Sequence, residues 1–253
     1  METLGATLEI FTEAGGAWIS RWAHVIAGIT WIGLLYYFNF VQGPAFAQFD
    51  PNSRSVATDK LASRALWWFR WSAFATFLMG ILILYFQPFG DGRQLFEMDY
   101  LKTGQGISIL TGALMGTIMM LNVWGAIWPR QKIIIANARN VLAGGEADPR
   151  AATAARSGLL ASRQNVIFSF PMLMFMVGTS HFFGAYQTGS GSDRAIYWVI
   201  TLVAIALLEL NALGVFGTSP GGLRWIYDDH KNAIATGIVL MLLWYGLWEV
   251  LFR

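Results

Sequence analysis

The stretch GISILTGALMGTIMMLNVWGAIW, Gly106–Trp128, runs for 23 residues without a charged side chain. A helix rises about 1.5 Å per residue, so roughly 20 apolar residues cross a hydrocarbon core about 30 Å thick. No water is available there to satisfy backbone N–H and C=O groups, so such a stretch must be helical. Five further stretches meet the same test: Ala17–Val41, Ala65–Phe86, Asn165–Tyr186, Ala195–Phe216 and Ala233–Phe252. The expected fold class is all-α, a polytopic membrane helical bundle of about six transmembrane helices. Composition agrees, with 55% hydrophobic residues, 13% charged residues and 12 Trp. Residues 1–253 read as a single integral membrane domain. The longest connection, helical over about 129–164, is too short for a soluble catalytic domain.

Cysteine is absent, which excludes disulfides, thiolate-held metals and a covalently attached c-type haem. The net charge of +2 gives no reason to expect a nucleic-acid partner; the expected surroundings are membrane lipids. Met1–Gly16 carries Glu2, Glu9 and Glu13 in place of a basic leader, so the first span is expected to act as its own insertion signal. The connections after spans one, three and five hold eleven of the seventeen Lys and Arg, and the opposite side holds five. The positive-inside rule then puts those connections in the cytoplasm and both termini outside, towards the periplasm of a bacterial inner membrane.

Asp50-Pro51 and Asp148-Pro149 each place a side-chain acceptor before a proline at a first helical position. The helix opening at Pro149 is expected to continue into span four and kink at Pro171. Lys132–Leu142 reads as a separate short helix lying at the interface. Trp18, Trp22, Trp67, Trp124, Trp128 and Trp248 fall near span ends and suit an interfacial aromatic belt.

Polar groups inside spans are costly and point to partners or function. His24 lies about two turns into span one, and His181 about one and a half turns before the end of span four. Alternation of direction puts both in the same leaflet. Two imidazoles at one depth suit axial ligation of a b-type haem, or two ligands of a metal ion. Gly28 and Gly33 beside His24, and Gly178 and Gly184 beside His181, would leave room for a flat macrocycle. The alternative is that each histidine simply hydrogen-bonds a neighbouring helix. His230 reads as a solvated residue of the last connection. Asn39, Arg70, Asn122, Glu209 and Asn211 gather towards the other leaflet. There Arg70 and Glu209 are expected to form a buried polar pair; the functional alternative is a proton or substrate site.

At RWAHVIAGITWIG, Arg21–Gly33, the chain begins to resemble the membrane domain of the bacterial membrane-anchored urate oxidases (urate hydroxylases). Supporting stretches are Leu121–Gly125, Trp128–Lys132, Ser162–Asn165, Ser169–Leu173 and Ser180–Phe182. The resemblance implies an integral membrane redox protein whose electrons leave through a periplasmic C-terminal cytochrome c domain. It also implies that His24 and His181 serve the redox site. The sequence to Arg253 contains no such domain, so the expected acceptor is a separate periplasmic cytochrome c or a larger membrane complex. Two readings compete with a haem- or metal-containing oxidoreductase. One is a non-catalytic accessory subunit of a respiratory or photosynthetic complex. The other is a transporter using Glu209 and Arg70, for which no internal repeat speaks.

Overall fold

The computed structural model describes residues 8–89, 92–183 and 189–253. Glu2, Gly184 and the expected end of span four at Tyr186 lie outside the described residues. Six helices are long and apolar enough to cross a membrane: α1 (Glu13–Gln48), α2 (Pro51–Phe86), α3 (Gly104–Leu142), α4 (Ala151–His181), α5 (Gly191–Ala212) and α6 (His230–Phe252). This is the architecture of a multi-pass membrane protein. A two-stranded turn pairing Pro88 with Arg93 and Phe89 with Gly92 lies between α2 and α3.

Local chemistry fixes where each helix begins. Thr12, Asp50, Thr103, Ser190 and Asp229 each accept a hydrogen bond from a first-turn amide, satisfying donors that have no partner within the helix. Asp50 takes the amides of both Asn52 and Ser53 at 3.0 Å, with Pro51 as the first helical residue. At Asp148 the side chain instead receives the Arg150 amide at 2.8 Å, and α4 starts only at Ala151.

With 36, 36 and 39 residues, α1 to α3 are each more than about 50 Å long and outrun the hydrocarbon core. Their extra turns lie at the end of the bundle that carries the Lys- and Arg-rich connections, the basic end. Lys132–Leu142 is therefore not a separate interfacial helix. It continues α3, because a wide π-helical turn over Asn122–Ile127 lets the chain pass Pro129 without breaking. A second such turn, Tyr37–Gln42, precedes Pro44 in α1, and a third, Thr58–Ala62, lies in α2. Proline collides with the carbonyl four residues back, and i→i−5 bonding relieves that collision.

Helix α4 is the hub. It packs along α3 and α6 and also touches α1 and α5. Small residues permit the closest approaches, as expected where packing rather than water drives association. A Cβ on Gly112 would meet Met176 Cγ at 3.0 Å. A Cβ on Gly237 would meet Phe170 Cδ2 at 2.6 Å and the Ile167 carbonyl oxygen at 3.0 Å. That carbonyl is the one Pro171, four residues on within α4, has no amide to satisfy. Ser108 donates to the Phe175 carbonyl at 3.0 Å, and Trp244 Nε1 donates to Thr201 at 3.1 Å. Buried Phe175, Tyr197, Trp248 and Phe252 form one aromatic cluster where α4, α5 and α6 meet. Helices α1 and α2 form a hairpin against this core, with Trp31, Leu35, Phe69 and Ala73 buried. Their remaining faces, including Val25, Ile29, Phe74 and Leu78, are exposed and apolar, as a lipid-facing surface should be.

Candidate functional site

His24 stands eleven residues into α1, about 16 Å from the helix start. Its partner lies on α2. Nδ1 is 2.8 Å from the Thr76 carbonyl oxygen, which can only accept, so Nδ1 carries the proton. Nε2 keeps its lone pair and has no hydrogen-bond partner among the described residues. The ring fits against α2 because residue 80 is glycine: a Cβ there would lie 3.2 Å from His24 Cε1. The i, i+4 pair Thr76 and Gly80 thus forms the wall that orients the imidazole.

His181 is the last residue of α4, exposed, with Nδ1 3.2 Å from the Val177 carbonyl one turn back. The helix ends earlier than hydropathy indicates, so His181 sits at a helix terminus while His24 lies three turns inside one. The two imidazoles engage different helices. Both nevertheless share a donor arrangement that suits metal ligation: Nδ1–H fixed by a backbone carbonyl and Nε2 with no hydrogen-bond partner among the described residues. The flanking glycines divide. A Cβ on Gly28 would meet only a Thr76 methyl at 3.8 Å, and Gly33 has nothing within 4 Å. At Gly178 the space is taken, since a Cβ would meet the Phe183 ring at 2.6 Å. A methyl could therefore be added at Gly28 or Gly33 without a clash, whereas Gly178 serves to seat Phe183, which stacks on Phe175. Among the described residues, no three His, Cys, Asp or Glu side chains are grouped to hold a metal.

Towards the basic end, a polar network runs through the bundle. Asn122, in the π turn of α3, donates to Asn165 Oδ1 at 3.0 Å and to Glu209 Oε2 at 3.2 Å. Asn165 donates to the Met119 carbonyl at 2.9 Å. Alongside, the Tyr227 hydroxyl reaches Gln164 Oε1 at 2.7 Å, and Tyr36 and Ser169 bond at 2.9 Å. Asn39 donates to Ser162 at 2.8 Å, and Asn211 donates to the Leu223 carbonyl at 2.8 Å. Burial first, and then the nearby Glu209 carboxylate, push the Tyr227 phenol above its usual range. In the α5–α6 connection, burial alone would raise the Asp228 carboxyl. The Gly221 amide at 2.7 Å and Arg156 at 2.7 Å outweigh burial and hold it below the usual carboxylate range.

The expected Arg70–Glu209 pair is not formed. Glu209 takes its hydrogen bond from Asn122, whereas the Arg70 guanidinium lies flat over Trp128, 3.4 Å from the ring centroid, with Trp124 at 5.9 Å. A stacked guanidinium is weakly hydrated and electrostatically favoured over an indole face, so the cation has a partner without a carboxylate. His230 is the first residue of α6 rather than a loop residue. It is half-buried, 3.7 Å from Asp229 and 6.0 Å from the Phe40 ring.

The residues that assemble the network are, for the most part, those of the quoted motifs: Asn122, Ser162, Gln164, Asn165 and Ser169. Their convergence on α3 and α4 decides where family likeness should be sought. Residues 93–211 match the urate oxidase N-terminal family. The match covers just under half the chain, from the turn before α3 nearly to the end of α5, and takes in Asn122, Asn165, His181 and Glu209. His24 precedes it. No curated protein and no solved structure matches the chain. Sequence reasoning missed Gln164, Asn165 and Tyr227 as network members, and Thr76 and Gly80 as the seat of His24. The Ser162–Asn165 motif carried a signal for the first two; Thr76 and Gly80 had none, because their role exists only across the α1–α2 contact.

Proposed function

We propose that this chain is a membrane oxidoreductase of the urate oxidase type, with its redox centre held through His24 and His181. The observation that carries the reading is the shared state of the two imidazoles: Nδ1–H tied to a backbone carbonyl and Nε2 without a hydrogen-bond partner among the described residues. The family match over 93–211 supports the class of reaction. A b-type haem or metal ion bound there would supply single-electron chemistry. Thr76 and Gly80 would hold the His24 ring in one orientation, and the lone pair at Nε2 would be presented without a tautomer change. The Lys and Arg distribution supports an orientation with both termini periplasmic, next to a separate electron carrier such as a cytochrome c. Reporter fusions after Ala143 and after Arg253 should lie on opposite sides, the second outside.

The deciding experiment is the absorption spectrum and metal content of the protein purified from its own membrane. A haem spectrum or a stoichiometric metal, lost in His24→Ala and in His181→Ala, is expected. A centre that survives both substitutions refutes the assignment. A chain that carries neither haem nor metal moves the accessory-subunit reading to first place.

A further inference from the structure

Arg70 is only 9% exposed, yet Nε and Nη1 find no hydrogen-bond partner among the described residues. A buried guanidinium normally satisfies its donors, so two idle N–H groups need an acceptor. Arg70 lines a cleft of about 470 Å³ between α2 and α3 at the basic end. The same cleft is lined by Arg64, Lys132 and Arg139, with Trp67 and Trp128 as its aromatic walls. Asp59 neutralises part of this charge through Arg139, at 2.6 Å, and also binds Lys60 at 2.8 Å. Arg64, Arg70 and Lys132 have no ion-pair partner among the described residues.

The cleft's surroundings decide the kind of anion. On α2 the cleft is walled by exposed Trp67, and the helix continues away from the basic end with exposed Trp71, Phe74, Leu78 and Ile81. A cationic pocket at the edge of the hydrocarbon layer thus runs into a lipid-facing apolar track on one helix. We infer that this cleft is a binding site for the phosphodiester headgroup of an anionic phospholipid, with an acyl chain lying along α2. Arg70 supplies the donors at the base of the cleft, Arg64 and Lys132 supply charge at its mouth, and Trp128 holds the Arg70 guanidinium in place. Basic pockets between membrane helices suit this class of ligand.

The test follows the melting temperature of the full chain in neutral detergent as phosphatidylglycerol, phosphatidylcholine or inorganic phosphate is added at matched phosphate concentration. Phosphatidylglycerol should raise it saturably, and the other two should not. Arg64 and Lys132 are exposed, so Arg64→Gln with Lys132→Gln should leave the fold intact. Each basic residue near an anionic headgroup contributes roughly fivefold, so the double variant should shift the lipid midpoint about 25-fold. Equal responses to phosphatidylglycerol and phosphatidylcholine, or an unchanged midpoint in the double variant, would overturn the inference. A response to inorganic phosphate matching that to phosphatidylglycerol would overturn the lipid assignment and make the cleft a free-oxyanion site.

Discussion

Gly237→Ala should weaken the α4–α6 contact, and the structure sets both the sign and the size. The new methyl carbon would lie 2.6 Å from Phe170 Cδ2 and 3.0 Å from the Ile167 carbonyl oxygen. The ring can turn only by disturbing its stack with Tyr36, at 6.4 Å, and the carbonyl belongs to a helix backbone that cannot yield alone. Overpacking of this kind costs about 1–3 kcal/mol. Alanine regains up to ~1 kcal/mol of helix propensity over glycine, which leaves a net loss of up to about 2 kcal/mol. Gly246, on the same helix, is the control. It has nothing within 4 Å of a Cβ, so Gly246→Ala should keep the propensity gain and stabilise. Reversible unfolding in mixed micelles would measure both. If the two variants shift stability equally, the close approach at Gly237 is not what holds α6 against α4.

Arg70→Met and Glu209→Gln should act additively, within about 0.5 kcal/mol, because the two side chains use separate partners. A double variant markedly less harmful than the sum of the singles would revive a direct pair. The Asp228 carboxyl titrates below its usual value, so its contribution is complete above the unfolded value of about 3.9 and is lost as pH falls through the folded one. Fluorescence of Trp225 in the same connection should report loosening below about pH 4 in the parent protein. In Asp228→Asn, that transition should be absent.

Hydropathy made the six spans legible because membrane insertion is decided by runs of about 20 residues, and no local detail overturns it. Asp50-Pro51 was equally legible, since a cap is a contact between near neighbours in sequence. Partner choice was not. Glu209 and Arg70 share a leaflet, but which helix each meets depends on how α2, α3 and α5 are rotated about their axes, and composition does not encode rotation. The depth of His181 was misjudged for a related reason: apolar residues continue past the point where α4 ends. Lys132–Leu142 looked like a separate helix because the π turn that carries α3 past Pro129 leaves no mark in residue type.

Those π turns have a consequence for anyone comparing relatives of this chain. An i→i−5 turn is an α-helix holding one residue too many, so each marks a place where a single-residue deletion can be absorbed. Removing a residue from Asn122–Ile127 would restore regular winding and leave the faces of everything beyond it unchanged, because the wide turn already holds its extra residue without rotating the helix that follows. Ile135 and Ala138, now buried, would stay against the core, each one place earlier in the sequence. Relatives that lack one residue here should therefore show their apolar positions after Trp128 displaced by one, and an ungapped alignment through this point would pair the wrong faces.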